Sequence, residues 1–152
     1  MDPRGSLHAV SSLVDTNVLV YRYDPRDAEK QRVARALLRE GIERGTLRLP
    51  HQAIVEFVQA VTRPTGRAGA ALLGRAEALR EAEELLAQFE VLYPTEALLR
   101  TAIRGVSAYQ LGWFDAQIWA CAEHYGLDEI LSEDFSDGQL IGRVRIRNPF
   151  AA

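Results

Sequence analysis

One cysteine, one lysine and three histidines are all this chain offers of the residues that most often build disulfides, Schiff bases and zinc sites. A lone cysteine excludes an internal disulfide, and Cys121 lies inside the apolar run Ile118 to Ala122, where a small buried side chain is the natural reading. His8, His51 and His124 show no ligand spacing and read as bystanders. No apolar run approaches the roughly 18 to 20 residues of a bilayer span, and Met1 to Ser12 lacks the apolar core of a secretory signal. A soluble, cytoplasmic chain with no membrane partner is therefore expected. Repeats, low-complexity segments and linkers are also missing, so 152 residues that are 47% hydrophobic and 26% charged point to one domain around one sizeable core.

Basic excess is lacking too. The net charge of -3 argues against a protein that coats nucleic acid with its whole surface, though not against a local basic groove. Apart from Lys30 every basic residue is arginine, gathered at Arg22, Arg26, Arg32, Arg35 and Arg39, at Arg63 and Arg67, and at Arg143, Arg145 and Arg147. The planar guanidinium suits phosphate oxygens. At most of these positions an ordinary solvated face is the simpler reading.

What is present is an alternation of short apolar strands with amphipathic helices. Strands are expected at Val10 to Val14, Thr46 to Leu49, Phe89 to Leu92, Ile130 to Ser132 and Val144 to Ile146. Helices are expected at Val18 to Tyr23, at Ala28 to Glu43 with Asp27 as cap and Gly41 and Gly45 as stops, and at Gln52 to Thr62. Three more are expected at Leu72 to Gln88, Thr95 to Tyr109 and Phe114 to Tyr125. The helices on either side of the loop Arg63 to Arg67 suggest a hairpin. This pattern describes an α/β sandwich with a mainly parallel sheet of about five strands. In such sheets ligands bind beyond the carboxyl ends of the strands, where strand order reverses.

Acidic residues stand where that rule directs attention. Asp15 follows the first strand, and Asp134 and Asp137 follow the strand Ile130 to Ser132 in SEDFSDG. Glu56 lies in HQAIVEFVQAVTR, and Asp115 opens the helix after Gly112 and Trp113. Each has an ordinary structural reading. Asp15 can cap a helix, Asp115 can favour a helix N-terminus, Asp134 and Asp137 are common turn formers, and Glu56 falls on a polar stripe with Gln52, Gln59 and Arg63.

Their joint order resembles PIN-domain ribonucleases, and within them the toxins of VapBC-type toxin-antitoxin pairs. The resemblance rests on LVDTNVLVY at Leu13 to Tyr21, IVEFVQAVTRP at Ile54 to Pro64, GWFDAQIWACA at Gly112 to Ala122 and ILSEDFSDGQLIGRVRIRNPF at Ile130 to Phe150. It implies a three-layer α/β/α sandwich with a protruding helical hairpin over residues 13–150. Met1 to Ser12 would then be an N-terminal extension to the family pattern, arising from cloning or an upstream start and carrying no expected order. By motif, Asp15, Glu56 and Asp115 match the first three family acids. The fourth lies in the SEDFSDG turn, with Asp134 favoured and Asp137 as a supporting ligand. Thr16 and Ser132 match hydroxyl positions that hold the acids or a metal-bound water.

Crowded carboxylates repel one another unless a cation neutralises them, and oxygen-only ligands point to a hard ion, Mg²⁺ or Mn²⁺. The resemblance implies RNA cleavage by an activated water, leaving a 5′-phosphate and a 3′-hydroxyl. Asp15, Asp115 and Asp134 would be the metal ligands, with Glu56 on the attacking water. It also implies a homodimer and a cognate VapB-type antitoxin, whose helix lies near the hairpin and whose arginine competes for the carboxylates. Arg143, Arg145 and Arg147 make one face of the last strand basic; they would track an RNA backbone, or else protect an edge strand from aggregation. Tyr21, Tyr23 and Trp113 are candidates for base stacking, although core packing or a hydrophobic staple is the expected fate of Trp113.

Two other classes fit part of the pattern. A haloacid-dehalogenase-type phosphatase also has an aspartate after its first strand, but it needs a second aspartate two residues on, where Asn17 stands, and a lysine far along the chain. A non-catalytic PIN-like module that binds RNA or protein is the second.

Overall fold

The computed structural model describes residues 9–65 and 69–151. Met1 to His8 of the expected extension, and Gly66 and Arg67 of the expected hairpin loop, lie outside the described residues. Chain order is β1 Ser12–Val14, α1 Thr16–Tyr21, α2 Ala28–Arg44, β2 Leu47–Pro50, α3 His51–Thr62, α4 Arg75–Gln88, β3 Glu90–Leu92, α5 Glu96–Tyr109, α6 Trp113–His124, β4 Glu129–Leu131, β5 Leu140–Ile141 and β6 Val144–Arg147.

The strands form one sheet in the order β3-β2-β1-β4-β6-β5, parallel except for the β5–β6 pair. Successive strand residues point to opposite faces, and both faces are covered. Val14 and Leu131 join the core under α1 to α4, while Leu13 and Ile130 join the core under α5 and α6. The result is a three-layer α/β/α sandwich. β5 was not legible, because two residues around a tight turn at Gly142, with φ of 59°, carry no periodicity. Its presence also corrects the edge-strand reading of the last arginines: β6 lies between β4 and β5.

Helix ends follow local chemistry. The Asp27 side chain accepts from the Lys30 N–H to start α2, and Gly45, with φ of 66°, ends it in the left-handed region. Gly41, expected as a second stop, is instead buried inside α2. A Cβ there would lie 2.1 Å from Leu47 Cδ1, so the missing side chain lets α2 sit directly on β2. α4 begins at Arg75 rather than Leu72, because Leu73 donates its N–H to Val61 O and ties that segment to α3. Within the hairpin, Phe57, Val61, Leu73 and Leu85 enter the core, whereas Val55, Leu79 and Leu86 remain exposed.

On the other face, Gly105 of α5 packs against Trp119 of α6. A Cβ at Gly105 would lie 2.5 Å from Trp119 Cζ3, and the indole is pinned by its 3.0 Å hydrogen bond to Ile141 O. Gly105→Ala should therefore destabilise the protein by about 1 to 2 kcal/mol in urea unfolding, with overpacking outweighing the roughly 1 kcal/mol of helix propensity gained. An unchanged or higher midpoint would show that the ring can move aside.

Candidate functional site

The chain runs outward from β1 through β2 to β3, then returns to place β4 on the other side of β1. Strand order thus reverses between β1 and β4, which pair in register from Ser12↔Glu129 to Val14↔Leu131. Asp15 and the turn Ser132 to Asp134 leave the same sheet edge side by side. The Asp15 N–H donates to Leu131 O at 3.0 Å, carrying the pairing one residue further.

Asp15 is buried, 6% exposed, and caps α1 by accepting the Thr16 N–H at 2.7 Å on Oδ1. Its Oδ2 accepts the Ser132 hydroxyl at 2.7 Å, and the same hydroxyl oxygen accepts the Asp134 N–H at 3.0 Å. Asn17, the second residue of α1, directs Nδ2 toward Asp134 Oδ2 at 3.1 Å and Ser132 Oγ at 3.2 Å, with Asp15 Oδ2 at 3.5 Å. Glu56 of α3 is only half-buried, yet it is not a free surface acid. Its Oε2 accepts the Thr16 hydroxyl at 2.8 Å and its Oε1 accepts Gln52 Nε2 at 2.7 Å. Asp115 sits in the first turn of α6, where backbone N–H groups favour negative charge.

Electrostatics tie the four acids together. Burial pushes Asp15 up to about 6; the hydrogen bonds from Ser132 and Thr16 oppose this, and the charges of Asp134 and Glu56 add to it. Asp115 is raised by burial first, then by the same Asp134 and Glu56 charges. Asp137 is placed apart from this set. Its Oδ1 accepts the Asn148 N–H at 2.9 Å, fastening the turn to the segment after β6.

The possible ligands gathered here are oxygens of carboxylates and hydroxyls, chemistry that fits a hard divalent cation better than zinc. Among the described residues no three His, Cys, Asp or Glu side chains are drawn into a ready metal-holding group. Asp15, Glu56 and Asp134 instead take hydrogen bonds from Thr16, Ser132, Asn17 and Gln52. A cation would replace or supplement these neutral donors.

Other sequence candidates fall elsewhere. Arg147 pairs with Glu129 at 2.9 Å, Arg143 approaches Glu123 at 3.4 Å, and Arg145 donates to Gly138 O at 3.3 Å. Tyr21 packs edge-on against Phe150, and Tyr23 packs on Phe57 while its hydroxyl donates to Glu81. Trp113, expected in the core, is 49% exposed. Cys121 is buried and its thiol pushed up to about 12, so it is chemically quiet. Asn17 and Gln52 were not singled out as site residues. Gln52 had a signal, its i,i+4 spacing to Glu56 on one helix face; Asn17 had only its place between the two strands' ends.

Because the folded state holds Asp15 above its ordinary value of 3.8, it binds that proton more tightly than the unfolded chain does. The penalty is complete above about pH 6, shrinks as pH falls through that value, and is gone below about pH 4. Asp15→Asn keeps an acceptor for the Thr16 N–H. In chelator-treated buffer it should raise unfolding stability by up to about 3 kcal/mol at pH 8 and by almost nothing at pH 4. A gain independent of pH would contradict this account.

A sequence comparison with curated proteins finds no significant match. Among solved structures, a toxin-antitoxin complex from Klebsiella pneumoniae is similar, with a TM-score of 0.66 at 17% identity over 93% of this chain and 100% of that one. DNA-bound VapBC from Salmonella typhimurium gives 0.68 at 14% identity over 93% and 99%. A sarcin-ricin-loop-cleaving VapC toxin of Mycobacterium tuberculosis gives 0.60 at 18% identity over 82% and 90%. At these identities the likeness is one of fold. The PIN domain family model matches residues 12–136, from the first strand through the turn that carries Ser132 and Asp134, and the chain therefore belongs to the PIN-domain family.

Proposed function

We propose that this protein is a Mg²⁺- or Mn²⁺-dependent endoribonuclease that acts as the toxin of a type II toxin-antitoxin pair in the cytoplasm, with residues 13–150 as its single PIN domain. The observation that carries this reading is the convergence of four separate chain segments at the strand-order reversal, where the Asp134 and Glu56 charges both bear on Asp15 and on Asp115. Family membership supports nuclease chemistry, and the toxin-antitoxin titles of the similar structures support the partner.

Asp15, Asp115 and Asp134 are the residues that would hold the cation. When bound, it supplies charge neutralisation and Lewis acidity toward the phosphodiester and its attacking water. The chain's own groups do the rest. Ser132 and Asn17 orient Asp15 and Asp134, and Thr16 and Gln52 hold both oxygens of Glu56 so that it can position a water and take its proton. No protein nucleophile is needed. The Asn17 amide also disfavours the phosphatase alternative, which needs a carboxylate in that place. Asp137 has its own bond to Asn148, so Asp134 is the fourth acid in this reading.

Asp115→Asn and Asp134→Asn should each lower the cleavage of single-stranded RNA in magnesium by about a hundredfold or more, with the wild-type products carrying 5′-phosphates. Near-wild-type rates in both variants would favour the non-catalytic RNA- or protein-binding alternative.

A homodimer and a VapB-type antitoxin complete the proposal. Leu99 and Ile103, four residues apart on α5, are exposed together, an apolar stripe suited to a second copy. Light scattering at micromolar concentration should give twice the chain mass, and the Leu99→Glu, Ile103→Glu double variant should give a monomer. A monomeric wild type would remove the dimer. Arg143, Arg145 and Arg147 remain candidate RNA contacts, although Arg143 and Arg147 would first have to leave Glu123 and Glu129.

A further inference from the structure

The chain's only lysine is not a free surface cation. Lys30 Nζ lies 2.8 Å from Glu133 Oε2 and 3.2 Å from the Tyr21 hydroxyl, and stands 4.8 Å from the Tyr21 ring centre and 5.8 Å from that of Phe150. The Tyr21 hydroxyl in turn donates to Glu133 Oε1 at 2.7 Å, so both oxygens of that carboxylate are held. Phe150 closes the arrangement with its edge-on contact to Tyr21 at 4.9 Å. The neighbouring helices α1 and α2 meet here with the turn after β4 and the stretch that follows β6.

Exposure sets this ion pair apart from others on the helices. The Lys30 and Glu133 side chains are 32% and 22% exposed, against 67% and 71% for Arg32 and Glu29. Water screens the second pair far more than the first. The hydrogen bonds it donates to Glu133 and Tyr21 accordingly hold the Lys30 ammonium well above its usual range.

Glu133 is also the residue between Ser132, which donates to Asp15, and Asp134. Its N–H approaches Asn17 Oδ1 at 3.4 Å, and the same Asn17 donates to Asp134 Oδ2 at 3.1 Å, so Asn17 links the Glu133 backbone to the acid beside it. Asp134 itself is exposed, held by Asn17 on its carboxylate and by the Ser132 hydroxyl on its N–H, so its position follows that of the turn.

We propose that Lys30 is a positioning residue: through Glu133 and Tyr21 it clamps the turn from Ser132 to Asp134 and so sets where the Asp134 carboxylate meets the other acids, without itself touching RNA. The functional consequence rests on the ribonuclease reading; the clamping of the turn does not.

The test compares wild type with Lys30→Met, Lys30→Arg, Glu133→Gln and the Lys30→Met, Glu133→Gln double variant. Hydrogen exchange in residues 132–137 should quicken by about tenfold or more in Lys30→Met while β4 and the body of α2 stay protected. Titrated Mn²⁺ should bind about tenfold more weakly, the lower end of what outer-shell partners contribute. With RNA, kcat should fall by about the same factor and KM stay within about twofold. Glu133→Gln should reproduce these changes, the double variant should be no worse than either single one, and Lys30→Arg should recover most of the loss.

Unchanged exchange and Mn²⁺ affinity in Lys30→Met would overturn the proposal. So would a rise in KM alone with a changed salt dependence and a silent Glu133→Gln, which would put Lys30 on the RNA backbone instead. A wild type that neither binds Mn²⁺ nor cuts RNA, combined with faster exchange in Lys30→Met, would sink the ribonuclease reading and leave the clamp supported.

Discussion

The burial of Asp15 at the junction of β1 and β4, within reach of other carboxylates, is the constraint on which the site depends. A fold that merely needed a stable sheet would not bury Asp15 against Leu131 with the charges of Asp134 and Glu56 in reach. Each acid is kept in place by a neutral donor: Ser132 and the Thr16 N–H for Asp15, Asn17 for Asp134, Thr16 and Gln52 for Glu56. Such donors lessen the penalty of an ionised carboxyl in a dry setting without cancelling it. The scaffold therefore has to hold these acids close against their own charge.

The scaffold is suited to that task because both of its layers are tied to the sheet at points that tolerate little movement. α2 lies on β2 through Gly41, and α5 meets α6 through Gly105 and the pinned Trp119 ring. With the helices set this closely, the helix starts at Thr16 and Trp113 aim their acids at one region. Rigid elements hold charged groups more accurately than loops do. The turn after β4 is the exception, being a loop, and it is there that the Lys30, Tyr21 and Glu133 cluster adds a second set of ties.

Much of this was legible in the residues. Alternating short apolar runs and amphipathic helices announced the sandwich, and the position of Asp15 after its strand pointed to the sheet edge where it is found. What escaped notice did so for physical reasons. β5 is too short to display a period. Gly41 looked like a stop because glycine ends helices more often than it packs inside them, and only the closeness of Leu47 distinguishes the two. Trp113 looked like core because large aromatics usually bury, whereas here the helix start carries it outward. Glu56 read as a solvent-facing acid on α3 alone; its partner Thr16 is forty residues away in sequence. Pairings of that kind do not announce themselves in local pattern. The charge reading of Arg143 and Arg147 likewise missed Glu123 and Glu129, which lie on other elements.

The hydrogen bond from Ser132 to Asp15 spans 117 positions of the chain. Contacts so distant close late, since the loop entropy must be met before they are rewarded. During synthesis Asp15 is made long before Ser132, so the two cannot pair until β4 has followed. The crowding of acids therefore arises only once the chain has been made through Asp134, and no shorter nascent chain has to bear it.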